Sequence, residues 1–223
     1  MLEAVSQRFQ GSCMMIMRRV GGDVRFLGSG FLVHPEGYLV TAARFVAERE
    51  GLVVVPPSGG SSFEPVTRAE VTPVPIDVVA VDEAHDVALI LVRPDMEINM
   101  PSDILGSSEV DEIGATLASF GVPFGYYRMH TVVALQSILS ARVLSKTETR
   151  LLIFDRRVQY GDIGGPLVSA TNGAIVGMVG GVFDPLELEG EDAPPEAAEV
   201  HSDLSYAMSI EYAAALLRDA LAD

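Results

Sequence analysis

Apolar runs recur along the whole chain, and turn-forming residues separate them. The runs lie roughly ten residues apart with Gly, Pro, Asp or Asn between them, and most are rich in Val, Ile and Leu. Examples are GLVVVP, IDVVAVD and VALILV in the first half, and RLLIFD, GPLVSA and AIVGMVGG in the second. Short segments of this kind are typical of an all-β barrel or sandwich. We therefore predict an all-β fold.

Helical periodicity is nearly absent except in the final stretch, IEYAAALLRDALAD. There Ile210, Ala213, Leu217 and the pair Ala220 and Leu221 recur on one face of a helix. This spacing predicts a C-terminal α-helix over about 209–222 that packs on the strands.

The stretch 93–112 is the best place to divide the chain, because it holds two prolines, several acids and little periodicity. We predict an N-terminal half at about 8–95, a linker at about 96–108 and a C-terminal half at about 109–208. A length of 223 residues suits a single domain made of two fused halves.

The chain carries 31 acidic residues against 15 Lys and Arg, which gives a net charge of −16. A field of this sign repels nucleic-acid phosphates and anionic lipid surfaces. The charge therefore argues against nucleic acid and membranes as partners and favours another protein with a basic or neutral surface. It does not indicate an oligomeric state.

Cys13 is the single cysteine, so no internal disulfide can form. The start, MLEAVSQRFQG, lacks the basic and apolar regions of a secretory signal, and no stretch reaches the ~18 apolar residues of a membrane span. We expect a cytoplasmic protein with no metal or other cofactor. A leader removed from the native gene product stays an open alternative.

Five segments in order resemble the trypsin-like (chymotrypsin-fold) serine proteases, closest to their bacterial Deg or high-temperature-requirement branch. They are GSGFLVHPEGYLVTAARFV (28–46), HDVALILV (85–92), ASFGVPFG (118–125), DRRVQYGDIGGPLVSATNGAIVGMVGG (155–181) and LSYAMSI (204–210). The resemblance covers nearly the whole chain. It implies one domain over 1–223, built as two six-stranded antiparallel β-barrels with the site between them and followed by the C-terminal helix.

The resemblance places Arg44 at the catalytic histidine position, Asp86 at the aspartate position and Ile163 at the serine position. The triad mechanism needs a hydroxyl nucleophile and a base that takes up its proton. Isoleucine has no oxygen, and arginine has five N–H donors and no acceptor. We therefore predict a pseudoprotease, a member of the family without hydrolytic activity.

A relocated catalytic group is the alternative that would preserve an enzyme. His85 adjoins Asp86, but we place both on a strand, where successive side chains point to opposite faces. The other histidines, His34, His130 and His201, do not follow the TAA strand. We interpret Cys13 as a buried, small apolar residue rather than a nucleophile.

The turn Gly161, Asp162 and Ile163 keeps the backbone of the family's oxyanion hole, whose donors the resemblance assigns to the N–H groups of Gly161 and Ile163. These donors do not depend on the missing side chain, so a pocket for a peptide or an anion could survive. We favour a different interpretation, in which Ile163 and Arg44 plug the cleft between the barrels.

Asp86 is expected to form an ion pair with Arg44, in a bidentate contact if the geometry allows it. Removing one partner of a buried ion pair costs about 3–5 kcal/mol, so we expect Asp86→Ala to destabilise the protein markedly.

Two further groups are candidates for partner binding. Arg156, Arg157 and Tyr160 precede the glycine turn, and the stretch 183–203 carries eight acids without Lys or Arg, among them Glu187, Glu189, Glu191 and Asp192. Exposed strand-end arginines and a solvated acidic loop are the simpler interpretations.

The leading functional prediction is thus a catalytically inactive, protein-binding scaffold or regulatory subunit. The alternatives are a sensor of peptides or anions that uses the glycine turn, and a hydrolase with a relocated catalytic group.

Overall fold

Two closed barrels make up most of the chain. The computed structural model describes residues 2–9, 11–57, 63, 65, 67, 70–92, 98, 100, 103–184 and 202–222. Its twelve strands form two six-stranded barrels in which all neighbouring strands are antiparallel. The predicted all-β double barrel is confirmed.

The first barrel closes in the order β1-β2-β3-β6-β5-β4. Its apolar runs form strands because they are short and rich in Val, Ile and Leu, and they supply a fully buried interior that includes Val40, Leu89 and Ile90. The bounds are β1 Cys13–Val20, β2 Asp23–Leu32, β3 Tyr38–Ala42, β4 Leu52–Val55, β5 Val74–Asp82 and β6 Val87–Val92.

The second barrel closes in the order β10-β11-β12-β9-β8-β7. Along β8 the burial of the side chains alternates over most of its length, as expected for a strand with one face on the core. The bounds are β7 Thr116–Gly121, β8 Val133–Leu144, β9 Arg150–Phe154, β10 Pro166–Ser169, β11 Ile175–Val182 and β12 Ser205–Ser209.

The predicted C-terminal helix, α2, spans Ile210–Ala222 and follows β12 directly. It crosses from the second barrel to the first, where it packs against β5 and β6. Ile210, Ala213 and Leu217 are buried as expected, whereas Leu221 is 44% exposed because it lies in the last turn. Within the described ranges, no helix is long and apolar enough to cross a membrane.

A second helix, α1 (Leu2–Phe9), was not predicted. An eight-residue helix is marginal on its own, so tertiary contacts must stabilise it. Phe9 is fully buried, and its ring stacks on that of Phe120 with 5.4 Å between the ring centroids. The signal was weak but present, since Leu2, Val5 and Phe9 follow helical spacing.

Candidate functional site

The glycine turn that corresponds to the nucleophile turn of the family is held at the junction of the two barrels. It begins as one turn of 3₁₀ helix, Tyr160–Asp162, between β9 and β10. The buried Ser29 of β2 donates its backbone N–H to the Ile163 carbonyl at 2.8 Å and its hydroxyl to the Gly161 carbonyl at 2.7 Å. Its Oγ also accepts from the Val122 N–H at 3.0 Å. Ser29 therefore fixes the turn of one barrel on a strand of the other.

Arg44 bridges the barrels on the solvent side of the same junction. It lies in a 3₁₀ turn, Ala43–Phe45, that follows β3. Its Nη2 is 2.7 Å from Asp86 Oδ2 and donates to the Gly180 carbonyl of β11, also at 2.7 Å. Its backbone N–H donates to Asp86 Oδ1 at 3.0 Å. The expected ion pair is present, but only one guanidinium nitrogen contacts the carboxylate, so the contact is not a parallel fork.

His85 and Asp86 lie in the turn before β6, not on a strand, so the prediction from strand alternation was wrong. Asp86 has a left-handed backbone with φ of 52°, a conformation that Asp tolerates better than most residues. His85 Nδ1 is 2.7 Å from Asp82 Oδ2, and the imidazole stacks on Tyr212 of α2 with 3.8 Å between the ring centroids. This imidazole is engaged with Asp82 and α2 rather than with the triad positions.

The remaining candidates for a relocated catalytic group are Cys13 and three histidines. Cys13 is fully buried, and this burial raises the pKa of its thiol to about 12, so the reactive thiolate is suppressed. His34 Nδ1 accepts from the backbone N–H of Glu36, and His130 is buried. His201 lies outside the described residues.

A cavity of about 570 Å³ lies beside Arg44 and Ile163. Ile163 and Arg44 belong to its lining. The Arg44 side chain spans the barrel junction from Asp86 to the Gly180 carbonyl, and the cavity lies on the second-barrel side of it. The other lining residues are Val158, Gln159, Tyr160, Gly180, Gly181, Val182 and Tyr206.

The glycine turn does not offer both of its expected donors to a ligand. The backbone N–H of Ile163 donates to the Tyr160 carbonyl at 3.3 Å, which closes the 3₁₀ turn. A carboxylate or carbonyl oxygen would have to break this bond before it could accept from Ile163. The expectation of a ready oxyanion pocket formed by Gly161 and Ile163 is therefore not met in this conformation.

Asp162 is buried to 2% exposure inside the same turn. Its Oδ2 accepts from the Gln159 N–H at 2.9 Å, while Oδ1 has no hydrogen-bond partner among the described residues. Burial raises the pKa of this carboxyl to about 6, against smaller opposite effects of the Gln159 N–H and Arg156. Sequence analysis missed this burial, because an Asp between glycines is normally a surface residue.

Tyr160 belongs to an aromatic cluster that sequence analysis also missed. Its ring centroid lies 5.4 Å from that of Tyr126 and 6.4 Å from that of Phe45. Arg156 and Arg157 are exposed, which agrees with their interpretation as exposed arginines at a strand end. The acidic candidates Glu187, Glu189, Glu191 and Asp192 lie outside the described residues.

In the part of the chain that the structure describes, no three His, Cys, Asp or Glu side chains lie close enough together to bind a metal ion.

Two closed six-stranded antiparallel barrels followed by a C-terminal helix define a trypsin-like double barrel in architecture. Residues 28–178 match the family described as "Trypsin-like peptidase domain", and the chain belongs to this family.

The curated relatives include proteases of the Deg and high-temperature-requirement type. The magnetosome formation protease MamE of Magnetospirillum gryphiswaldense is 27% identical over 170 residues, which cover 73% of this chain and 20% of MamE. A probable periplasmic serine endoprotease DegP-like of Halomonas elongata is 30% identical over 164 residues, 71% of this chain and 30% of that protein. Mitochondrial serine protease HTRA2 of Bos taurus is 30% identical over 154 residues, 68% of this chain and 30% of HTRA2. The chain thus spans less than a third of the length of these relatives.

Replacing Asp86 by alanine is expected to lower the free energy of unfolding by about 1–2 kcal/mol, less than the sequence suggested. The side chains of Arg44 and Asp86 are 43% and 29% exposed, so solvent screens the ion pair to about 1 kcal/mol or less. The substitution also removes Asp86 Oδ1, which accepts from the Arg44 backbone N–H, and this loss adds about 1 kcal/mol to the cost.

Denaturant unfolding measures this difference, with the exposed Asp219→Ala as a control. A loss of about 4 kcal/mol or more for Asp86→Ala would show that the pair behaves as fully buried, as the sequence alone suggests.

Proposed function

We propose that the chain is a non-catalytic trypsin-like domain that binds another protein as a scaffold or regulatory subunit. The observation that carries this proposal is the position of the Arg44 guanidinium. It is bound to Asp86 Oδ2 and to the Gly180 carbonyl, and the sequence resemblance assigns its residue to the position of the catalytic base. These contacts give Asp86 a charged partner that cannot accept a proton.

The chemistry of the cleft supports the same conclusion. A guanidinium has no lone pair with which to accept a proton near neutral pH, and the Ile163 side chain has no atom that can attack a carbonyl. The Ile163 N–H is also turned toward the Tyr160 carbonyl, so stabilisation of an oxyanion is weakened as well. All three parts of the acyl-enzyme route are thus impaired together.

The names of the relatives favour a second candidate, a hydrolase, because all of those compared are proteases. Hydrolysis by this chain would require a nucleophile and a base outside the triad positions. Cys13 is buried with a raised pKa, and His85 is held by Asp82 and Tyr212. We therefore rank protein binding above hydrolysis.

The cavity beside Arg44 favours a third candidate, a sensor of peptide ends. Its volume of about 570 Å³ lies within the range of ligand pockets. Binding at the glycine turn would require the Tyr160 carbonyl to move. A protein partner that contacts the outer surface does not need this rearrangement. The net charge of −16 means that most of the surface of the domain favours a partner with a basic or neutral surface.

Co-purification from the native host followed by reconstitution tests the proposed function. We expect a protein that assembles with the purified chain at fixed stoichiometry and remains intact after long incubation with it. Cleavage of that protein, or of casein, by the purified chain would contradict the proposal and favour the hydrolase.

A further inference from the structure

Four large aromatic side chains are exposed near the junction of the barrels, and two of them, Tyr126 and Tyr160, are in ring contact. Three lie on the turn after β7, which contains a 3₁₀ segment, Gly125–Tyr127, and the fourth lies on the glycine turn. Their exposed fractions are 42% for Phe124, 45% for Tyr126, 76% for Tyr127 and 58% for Tyr160. Exposed aromatic groups of this kind mark interaction sites more often than ordinary surface.

Tyr126 and Tyr160 are held in place by contacts with their neighbours. Tyr126 donates its hydroxyl to the Leu27 carbonyl at 3.2 Å, and its ring meets that of the buried Phe26 edge to face, with 4.9 Å between the centroids. The Tyr126 and Tyr160 rings are also steeply inclined to each other, with 5.4 Å between their centroids. A partner would therefore lose little conformational entropy in ordering these rings.

Two arginines give this part of the surface a positive charge on a strongly acidic protein. Arg25 lies close enough to Tyr126 to affect its phenol electrostatically, and Arg128 follows the turn directly. Both arginines, with Tyr126 and Phe26, line a cavity of about 310 Å³ in which Asp23 is the one carboxylate among the described lining residues. Among the described residues, neither Arg25 nor Arg128 forms an ion pair. Their charges are free to meet carboxylates of a partner.

We propose that this aromatic–arginine face, formed by Arg25, Phe124, Tyr126, Tyr127, Arg128 and Tyr160, docks an acidic peptide segment that also carries apolar side chains. The arginines would pair with its carboxylates, and the rings and the cavity would accept its apolar groups. This names the kind of partner segment for the proposed protein-binding function and rests on that function.

Single-stranded nucleic acid can also use arginines and aromatic rings, but the remaining charge of the chain disfavours it. With a net charge of −16, the chain as a whole repels a continuous polyanion, whereas a short acidic segment needs only the local positive face. A protein segment is therefore the occupant that these charges favour.

Fluorescence anisotropy with three labelled probes tests the docking face. The probes are a short peptide that alternates Glu with Leu and Pro, the same peptide with Lys for Glu, and a thymidine oligonucleotide of equal length. We expect the wild-type chain to bind the Glu peptide about tenfold more tightly than either other probe. Equal or tighter binding of the Lys peptide or the oligonucleotide, or no binding of the Glu peptide, would overturn the proposal.

Variants of the aromatic–arginine face test whether the Glu peptide binds there. Tyr127→Ser and Arg25→Glu change side chains at the surface of this face, so both proteins should fold with unchanged melting temperatures, and each should weaken binding of the Glu peptide about tenfold. Arg218→Glu and Leu221→Ser alter an exposed cation and an exposed apolar residue on α2 and serve as matched controls. Equal effects of the face variants and the controls would show that the peptide binds elsewhere.

The proposal of a docking face and the proposal of a non-catalytic function can be contradicted independently of each other. If the chain is found to hydrolyse peptides while Tyr127→Ser still weakens Glu-peptide binding, the docking face stands and the non-catalytic function falls. If no hydrolysis occurs and the face variants bind like the wild type, the docking face falls and the non-catalytic function stands.

Discussion

Gly164→Ala is expected to lower the free energy of unfolding by about 2–5 kcal/mol. Gly164 has a left-handed backbone with φ of 84°, and a side chain costs about 1–2 kcal/mol in that conformation. A Cβ at this position would also lie 2.2 Å from the Ser29 carbonyl oxygen of the other barrel. Because that contact is with backbone, relief requires the barrels to shift, at a further cost of about 1–3 kcal/mol.

Gly114→Ala is the matched control for this substitution. Gly114 has a similar φ of 92°, but no atom lies within 4 Å of the position that a Cβ would take there. We expect Gly114→Ala to lower the free energy of unfolding only by the backbone contribution of about 1–2 kcal/mol. Urea unfolding of both variants measures the difference, and equal losses would show that the close approach of the barrels at Gly164 does not constrain the fold.

The second large effect is a dependence of stability on pH that comes from Asp162. Its pKa is raised from 3.8 to about 6 in the folded protein. Below about pH 4 both folded and unfolded states hold the proton, so the carboxyl imposes no penalty. Between about pH 4 and 6 the unfolded state releases the proton first, so stability falls as the pH rises. Above about pH 6 the penalty is complete at roughly 3 kcal/mol, from about two pH units at 1.36 kcal/mol each.

Asp162→Asn removes this titration while retaining an oxygen that can accept from the Gln159 N–H. We expect the free energy of unfolding of the variant, relative to that of the wild type, to rise by roughly 2–3 kcal/mol between pH 4 and pH 7. Asp219→Asn, whose carboxylate is exposed, controls for the general charge effect and should show no such trend. A difference between Asp162→Asn and wild type that stays constant with pH would mean that the carboxyl titrates as an ordinary surface acid.

The strands were predictable because they depend on local pattern. The apolar runs of β3, β6 and β10 are short and bounded by turn residues, and the motifs that hold Arg44, Asp86 and Ile163 adjoin those runs. A strand followed by a tight turn fixes where such residues lie, whatever their side chains are. The sequence therefore predicts where Arg44, Asp86 and Ile163 lie relative to the strands.

Features that depend on contacts between distant segments were not predictable. Helix α1 is stable because Phe9 meets Phe120, and Asp162 is buried because Ser29 draws its turn onto the other barrel. The barrel junction is bridged because Arg44 reaches Gly180, a residue on a strand of the other barrel. Each of these outcomes depends on pairing across the barrel junction, which periodicity within one segment does not report.

Arg44 makes a structural contact between the barrels. Its guanidinium pairs with Asp86 and ties the β11 edge at Gly180 to the first barrel. Under the proposed function, this contact stands where the resemblance assigns a proton-transfer group, since a guanidinium has no acceptor. Localisation in the cytoplasm and binding to another protein stay predictions that fractionation and reconstitution would test.

The most direct measurement is the intact mass of the purified chain after incubation with an excess of a fluorophosphonate probe, with trypsin labelled in parallel. Mass spectrometry of the chain itself is insensitive to traces of contaminating protease. Because Ile163 carries no hydroxyl and Arg44 cannot act as a base, we predict that the mass stays unchanged while trypsin gains the adduct. A stoichiometric adduct on any serine of this chain would show that it holds an activated nucleophile and would contradict the account.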